Sequence, residues 1–153
     1  TRSDEIGIVV AGKGVDGRCY IMEDLSERVG PATWARIAVN AYHRWQADAI
    51  VAELNFGKAM VEETVRTADP TVPFRAVTAS RGKVVRAEPV AALYEDRIDK
   101  VRHVGRMEKL EEQLTMFSTA GYTGDRSPDR ADAMIWAVSE LMIGSSIPQL
   151  SFG

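Results

Sequence analysis

The sequence is 153 residues long, 45% hydrophobic and 27% charged, with 12 glycines and 6 prolines, a balance that excludes a disordered or fibrous chain and predicts one ordinary domain with a continuous core. Its single cysteine, Cys19, excludes a disulfide scaffold and a cysteine-based zinc site; no apolar run reaches the roughly 20 residues of a bilayer span, and Thr1-Arg-Ser-Asp-Glu5 lacks the features of a signal peptide, so a cytoplasmic setting is expected. The net charge of −3 argues against a protein that grips nucleic acid over its whole surface, yet residues 81–110 hold eight Lys/Arg against five Asp/Glu and residues 111–153 hold two against six. A basic middle followed by an acidic end suits a phosphate-contacting flank beside a carboxylate cluster.

In chain order, Ile6-Gly-Ile-Val-Val-Ala11 reads as a buried strand already under way, and Gly12-Lys-Gly-Val-Asp-Gly17 as a turn. Gly17 to Glu23 alternates as a second strand, with Cys19 and Ile21 on one side and Tyr20 and Met22 on the other, so a hairpin is expected. Gly30-Pro31 opens a helix whose stripe of Trp34, Ile37, Ala38, Ala41, Tyr42 and Trp45 predicts one buried face. Ala49 to Glu53 is a short apolar strand ending in an acid, Asn55-Phe-Gly57 turns the chain, and Met60, Val61, Thr64 and Val65 mark a helix that stops by Asp69-Pro70.

Phe74 to Ala79 reads as a strand, and Arg81 to Arg97 as largely helical with a break or restart at Pro89. Lys100 to Val104 suits a charged edge strand, Met107 to Phe117 a helix, Gly121 to Pro128 a loop, Asp129 to Met142 a last helix and residues 144–153 a tail. The expected domain covers residues 1–143. Its class is α/β: a mixed central sheet flanked by helices.

Three acids stand out as candidate ligands. Glu53 follows Ile50-Val-Ala52 at a strand end, where loops of an open α/β sheet reach substrate; an ordinary polar residue at the surfacing strand is the alternative. In Ser127-Pro-Asp-Arg-Ala-Asp132, Asp129 and Asp132 are three apart at a helix start, where both can face one way and the helix dipole favours their charge. Capping explains Asp129 well and Asp132 poorly, because Asp132 runs directly into the apolar stretch from Ala133 to Val138. Such carboxylates suit magnesium or manganese, hard ions that prefer oxygen, and two ions would serve phosphodiester hydrolysis. A third carboxylate is then wanted on a neighbouring strand, at the beginning of the chain.

The basic candidates are Arg81, Lys83 and Arg86, with a second group of Lys100, Arg102, His103 and Arg106; each group is either a phosphate contact or a solvated face. His43 and His103 are too isolated for a metal site or triad, and His43 belongs on the wet side of the first helix. Gly12 to Gly17 lacks the spacing and the terminal Lys-Ser/Thr of a P-loop, so nucleotide hydrolysis is unsupported. Trp34, Tyr42, Trp45 and Trp136, and Met107, Met116 and Met134, read as core before they read as stacking platforms.

Taken together, Ser3 to Gly12, Val51 to Gly57, Lys83 to Val90 with Tyr94, and Ser127 to Ala133 resemble the C-terminal nuclease domain of the large terminase subunit of tailed bacteriophages and related gene-transfer particles. The resemblance covers nearly all of residues 3–142. It implies an RNase H-like fold and a divalent-metal-dependent endonuclease that cuts concatemeric double-stranded DNA during genome packaging, in the bacterial cytoplasm at the procapsid portal. Glu53 matches the acid at the end of the family's central strand, Asp132 the late acid before alanine, and Asp129 a nearby position of variable role. The family's first catalytic Asp belongs upstream of Ser3-Asp4, so it is expected to be missing from this sequence. Implied partners are double-stranded DNA, an upstream ATPase domain, the portal and the small terminase subunit. Another RNase H-like enzyme, such as a Holliday-junction resolvase, or a non-catalytic docking domain is the alternative.

Overall fold

The expected hairpin is the centre of the fold. In the computed structural model, which describes residues 5–53, 59–78, 82–118, 121–124 and 127–143, strand β1 (Glu5–Ile6) leads into β2 (Val9–Lys13), and β2 pairs antiparallel with β3 (Cys19–Asp24). Gly17 turns the chain with φ +83°, a left-handed conformation that glycine adopts without a Cβ penalty. The alternation in β3 does what it predicts: Cys19 and Ile21 are fully buried on one face. Strand β4 (Glu27–Arg28) pairs antiparallel with β1, while Ile8 leaves that ladder to donate to Ser26 Oγ at 3.0 Å.

Helix α1 (Pro31–Trp45) starts with proline in its first turn and ends at Gln46, in a left-handed conformation. Its inward face is rotated from the predicted stripe: Ala35, Val39 and Ala41 are buried, Trp34 and Tyr42 are half-buried, and Trp45 is 39% exposed. The placement of Trp45 in the core is therefore corrected. It is the last residue of the helix, where its indole N–H donates to Glu23 Oε1 at 2.8 Å and its polar edge stays near water. His43 is exposed as expected, and it bonds Asp69 at 2.7 Å.

Strand β5 (Ile50–Glu53) and, after helix α2 (Ala59–Ala68), strand β6 (Phe74–Val77) run parallel, as two strands joined by a crossover helix must. Val39, Val65 and Val72 form a small core here with Trp34, Tyr42, Ile50 and Phe74 packed on it. Helix α3 (Lys83–Ala92) passes straight through Pro89, against the expected break. Pro89 and Val85 both lie exposed, so the carbonyl that lost its N–H partner is on the watery side of the helix.

Strand β7 (Val101–His103) joins β3 in parallel, which makes β2-β3-β7 a mixed sheet with β7 at its edge. Helix α4 (Glu108–Thr115) buries Leu110. The helix ends before the expected Phe117, and Phe117–Ser118 (β8) pairs antiparallel with Gly121–Tyr122 (β9), the start of the expected loop, with the Phe117 and Tyr122 rings 5.2 Å apart. Gly121 starts β9 at φ +126°, a conformation that glycine adopts without a Cβ penalty.

The last helix, α5 (Asp129–Val138), stops earlier than predicted and continues as a π-helical turn, Ser139–Ile143. Met134, Ile135 and Val138 of α5 complete the main core with Cys19, Ile21, Val90, Val101 and Leu110. Among the described residues the strand pairings form four groups, the helices cover them, and no helix is long and apolar enough to cross a membrane. The predicted tail, 144–153, lies outside the described residues.

Candidate functional site

The site is organised by the first two turns of α5. Arg130 points inward there, and its guanidinium bonds Glu5 Oε2 at 2.9 Å and Asp24 Oδ2 at 2.7 Å. A buried guanidinium satisfied by two carboxylates fixes the helix start onto β1 and β3. Gln113 of α4 accepts the Ala131 N–H at 3.0 Å, satisfying one of the donors that every helix start leaves open. Gly7 lets the chain below approach the Asp129 backbone, because a Cβ at residue 7 would collide with the Asp129 carbonyl group.

With Arg130 held inward, Asp129 and Asp132 flank it. Ser127 Oγ donates to Asp129 Oδ1 at 3.0 Å. Burial raises the Asp129 carboxyl above its ordinary range; the Ser127 hydrogen bond opposes this, and the charges of Glu5 and Asp132 add to the rise. Asp132 Oδ2 pairs with Lys83 Nζ at 2.9 Å, while Asp132 Oδ1 is buried with no hydrogen-bond partner among the described residues. A buried carboxylate oxygen left in that state is costly, and a hard cation is one of the few groups that satisfies it.

Glu53 reaches the same helix from the end of β5. Its Oε1 accepts the indole N–H of Trp136 at 3.2 Å. Trp136 lies four residues after Asp132, so the two occupy one face of α5. Across from them, Lys83 and Arg86 lie three apart on α3: Lys83 meets Asp132, and the Arg86 guanidinium lies 4.9 Å from the centre of the Trp136 ring. The strand acid, the helix acid and two of the three basic candidates thus share one junction of β5, α3 and α5. Arg81 lies outside the described residues.

The donors available for a metal are all carboxylate oxygens, which suits magnesium or manganese and not a soft ion. Among the described residues no three His, Cys, Asp or Glu side chains converge closely enough to hold a metal. Glu53, Asp129 and Asp132 are therefore not gathered into a three-carboxylate centre among those residues.

The second basic group is dispersed. Arg102 pairs with Asp99 at 2.6 Å and Arg106 with Glu108 at 3.5 Å. His103 is not isolated: Nε2 meets the Tyr94 hydroxyl at 2.7 Å and Nδ1 meets Glu111 Oε2 at 2.9 Å, beneath a side-chain exposure of 16%. Trp136 had a sequence signal in its spacing from Asp132, but a tryptophan in an apolar run reads first as core. Arg130 had none beyond its two acidic neighbours, since Glu5 and Asp24 are more than a hundred residues away in sequence.

A family model described as terminase RNaseH-like domain matches residues 1–141. No curated protein matches the chain.

Proposed function

The chain belongs to the terminase RNase H-like domain family, and from that premise we propose that it is the divalent-metal-dependent endonuclease domain that cuts concatemeric double-stranded DNA during genome packaging. The observation that carries this reading is Asp132: one of its carboxylate oxygens is buried with no hydrogen-bond partner among the described residues, and it shares a face of α5 with the tryptophan that bonds Glu53. Glu53, Asp132 and Asp129 would hold magnesium or manganese, with a further acid completing a two-ion site. When bound, such ions supply an activated water and stabilise the leaving 3′ oxygen.

The chain's own residues do the remaining work. Asp129 and Asp132 sit in the first turn of α5, three residues apart, so one helix start presents both side chains. Lys83 offsets the charge of Asp132 while remaining 46% exposed, so its ammonium is also open to a phosphate. Arg81, Lys83 and Arg86 would position the DNA backbone, a task that needs positive groups but no base-specific geometry. Double-stranded DNA, an ATPase motor domain, the portal and the small terminase subunit are the proposed partners, and the procapsid portal in the host cytoplasm the proposed place of action.

Cleavage of supercoiled plasmid by the full-length protein with added manganese tests the proposal. Glu53→Gln and Asp132→Asn keep side-chain size while removing charge, and each is expected to abolish most cleavage with DNA binding largely retained. Undiminished cleavage by either variant would overturn the assignment.

A further inference from the structure

We infer that Trp136 is a positioning residue for Glu53: its indole N–H fixes one oxygen of the carboxylate and so sets the rotation of that group toward a divalent cation. The inference rests on the nuclease reading above. Glu53 is the last residue of a four-residue strand, and its side chain has rotatable bonds that a metal ligand must hold still. Trp136 Nε1 lies 3.2 Å from Glu53 Oε1, a bond strengthened by the carboxylate's charge. An indole N–H is a donor only, so it can orient a carboxylate without competing for the cation as a ligand.

Trp136 is itself well held. Its neighbours on α5, Met134 and Ile135, are in the main core, and Arg86 covers one face of its ring. Because Trp136 follows Asp132 by four residues, a single helix face both presents one ligand and orients the other. Small errors at this junction would therefore separate Glu53 from Asp132 without unfolding anything.

The test compares the chain with its Trp136→Phe, Trp136→His and Glu53→Gln variants, using manganese alone as the probe. Calorimetry is expected to show affinity reduced about ten-fold in Trp136→Phe, the usual scale for losing a hydrogen bond that orients a metal ligand. Trp136→His restores a donor and is expected to recover part of that loss. Trp136→Phe added to Glu53→Gln should cost nothing further, whereas a merely structural role would cost the same in both backgrounds. In the unmodified chain, the Trp136 indole N–H resonance is expected to shift as magnesium is titrated in, and to stop responding in Glu53→Gln; this reading does not depend on any Trp136 variant folding. Metal affinity equal to the parent in Trp136→Phe, or an indole resonance unmoved through a magnesium titration that calorimetry shows to saturate, would overturn the inference. Metal binding that is indifferent to Glu53→Gln would instead overturn the metal-site reading beneath it.

Discussion

Gly7 lies beneath the first turn of α5 so closely that a methyl group built on it would stand 2.7 Å from the Asp129 carbonyl carbon and 3.2 Å from Ala133 Cβ. Backbone cannot yield as a flexible side chain does, so the helix start must move if residue 7 gains a Cβ. Gly7→Ala is expected to lower stability by about 2–3 kcal/mol, the upper part of the usual range for overpacking. It should also weaken metal binding, because the displaced turn carries Asp129 and Asp132 with it. Chemical denaturation beside manganese calorimetry checks both; a variant with parental stability would show that the close approach is dispensable.

Much of that geometry was readable beforehand. The alternation through Cys19 and Ile21 marks a strand in any context, and the run from Ile50 to Glu53 places an acid at a strand end. What could not be read is which distant side chains meet. The stripe through Trp34 and Trp45 is correctly helical, but periodicity alone does not choose between faces: small Ala35 and Val39 turn inward and Trp45 finds Glu23. Pro89 reads as a break because its cost inside a helix is real, yet that cost falls on an exposed side where water meets the lost bond. The acids and Lys83 stand out from local pattern, whereas the Lys83–Asp132 pair and the roles of Trp136 and Arg130 emerge only from packing.

His103 shows the difference most sharply. It lies between the Tyr94 hydroxyl and Glu111, and Glu111 also accepts the Met107 N–H at 3.1 Å. Burial pushes the Tyr94 hydroxyl well above its ordinary range, so it stays a neutral hydrogen-bonding partner. His103→Ala is expected to cost about 1–3 kcal/mol, the scale of stranding a buried polar group, and to leave the salt dependence of DNA binding unchanged. Denaturation and a salt titration read the two effects separately. A shallower salt slope would return His103 to the phosphate contacts.

Two turns should contribute to the acid dependence of stability, alongside the lowered Asp16, Glu23 and Glu111 carboxyls. Asp69 is held down to about 2, first by the Thr71 hydroxyl and then by His43, and Asp99 is held down to about 2 chiefly by its hydrogen bond from Arg102. A carboxylate lowered on folding contributes stability that is complete above its ordinary value of 3.8 and disappears as pH falls through the folded value. The loss should therefore concentrate between about pH 4 and pH 2, and Asp69→Asn or Asp99→Asn should each flatten it. Asp129 has the opposite sign: its raised carboxyl makes the ionised form unfavourable in the folded chain. Asp129→Asn is expected to raise the melting temperature at pH 7 without divalent metal, and to remove part of the stabilisation that manganese brings. Melting curves across pH, with and without manganese, test the set; a pH 4 to pH 2 decline identical in all variants would reject the two turns as its source.

The final prediction separates two uses of one ammonium. Lys83 pairs with Asp132 at 2.9 Å, yet its side chain is 46% exposed where that of Asp132 is 16% exposed. The pair is thus buried on the acid's side and wet on the base's side, an arrangement that neutralises a carboxylate while presenting positive charge outward. If the outward charge meets DNA phosphate, Lys83→Gln should weaken binding equally for unrelated sequences and reduce the magnitude of the log-affinity salt slope by about 0.9. If Lys83 serves only Asp132, the slope stays constant and the effect of Lys83→Gln vanishes once Asp132→Asn has removed the partner. The expected result is the first: a reduced slope that persists in the Asp132→Asn background, because phosphate contact does not require the acid. Equilibrium DNA titrations of the four proteins in this cycle, at several salt concentrations, decide it. A slope unchanged in both backgrounds would confine Lys83 to balancing the charge of Asp132 and remove it from the DNA-contacting surface.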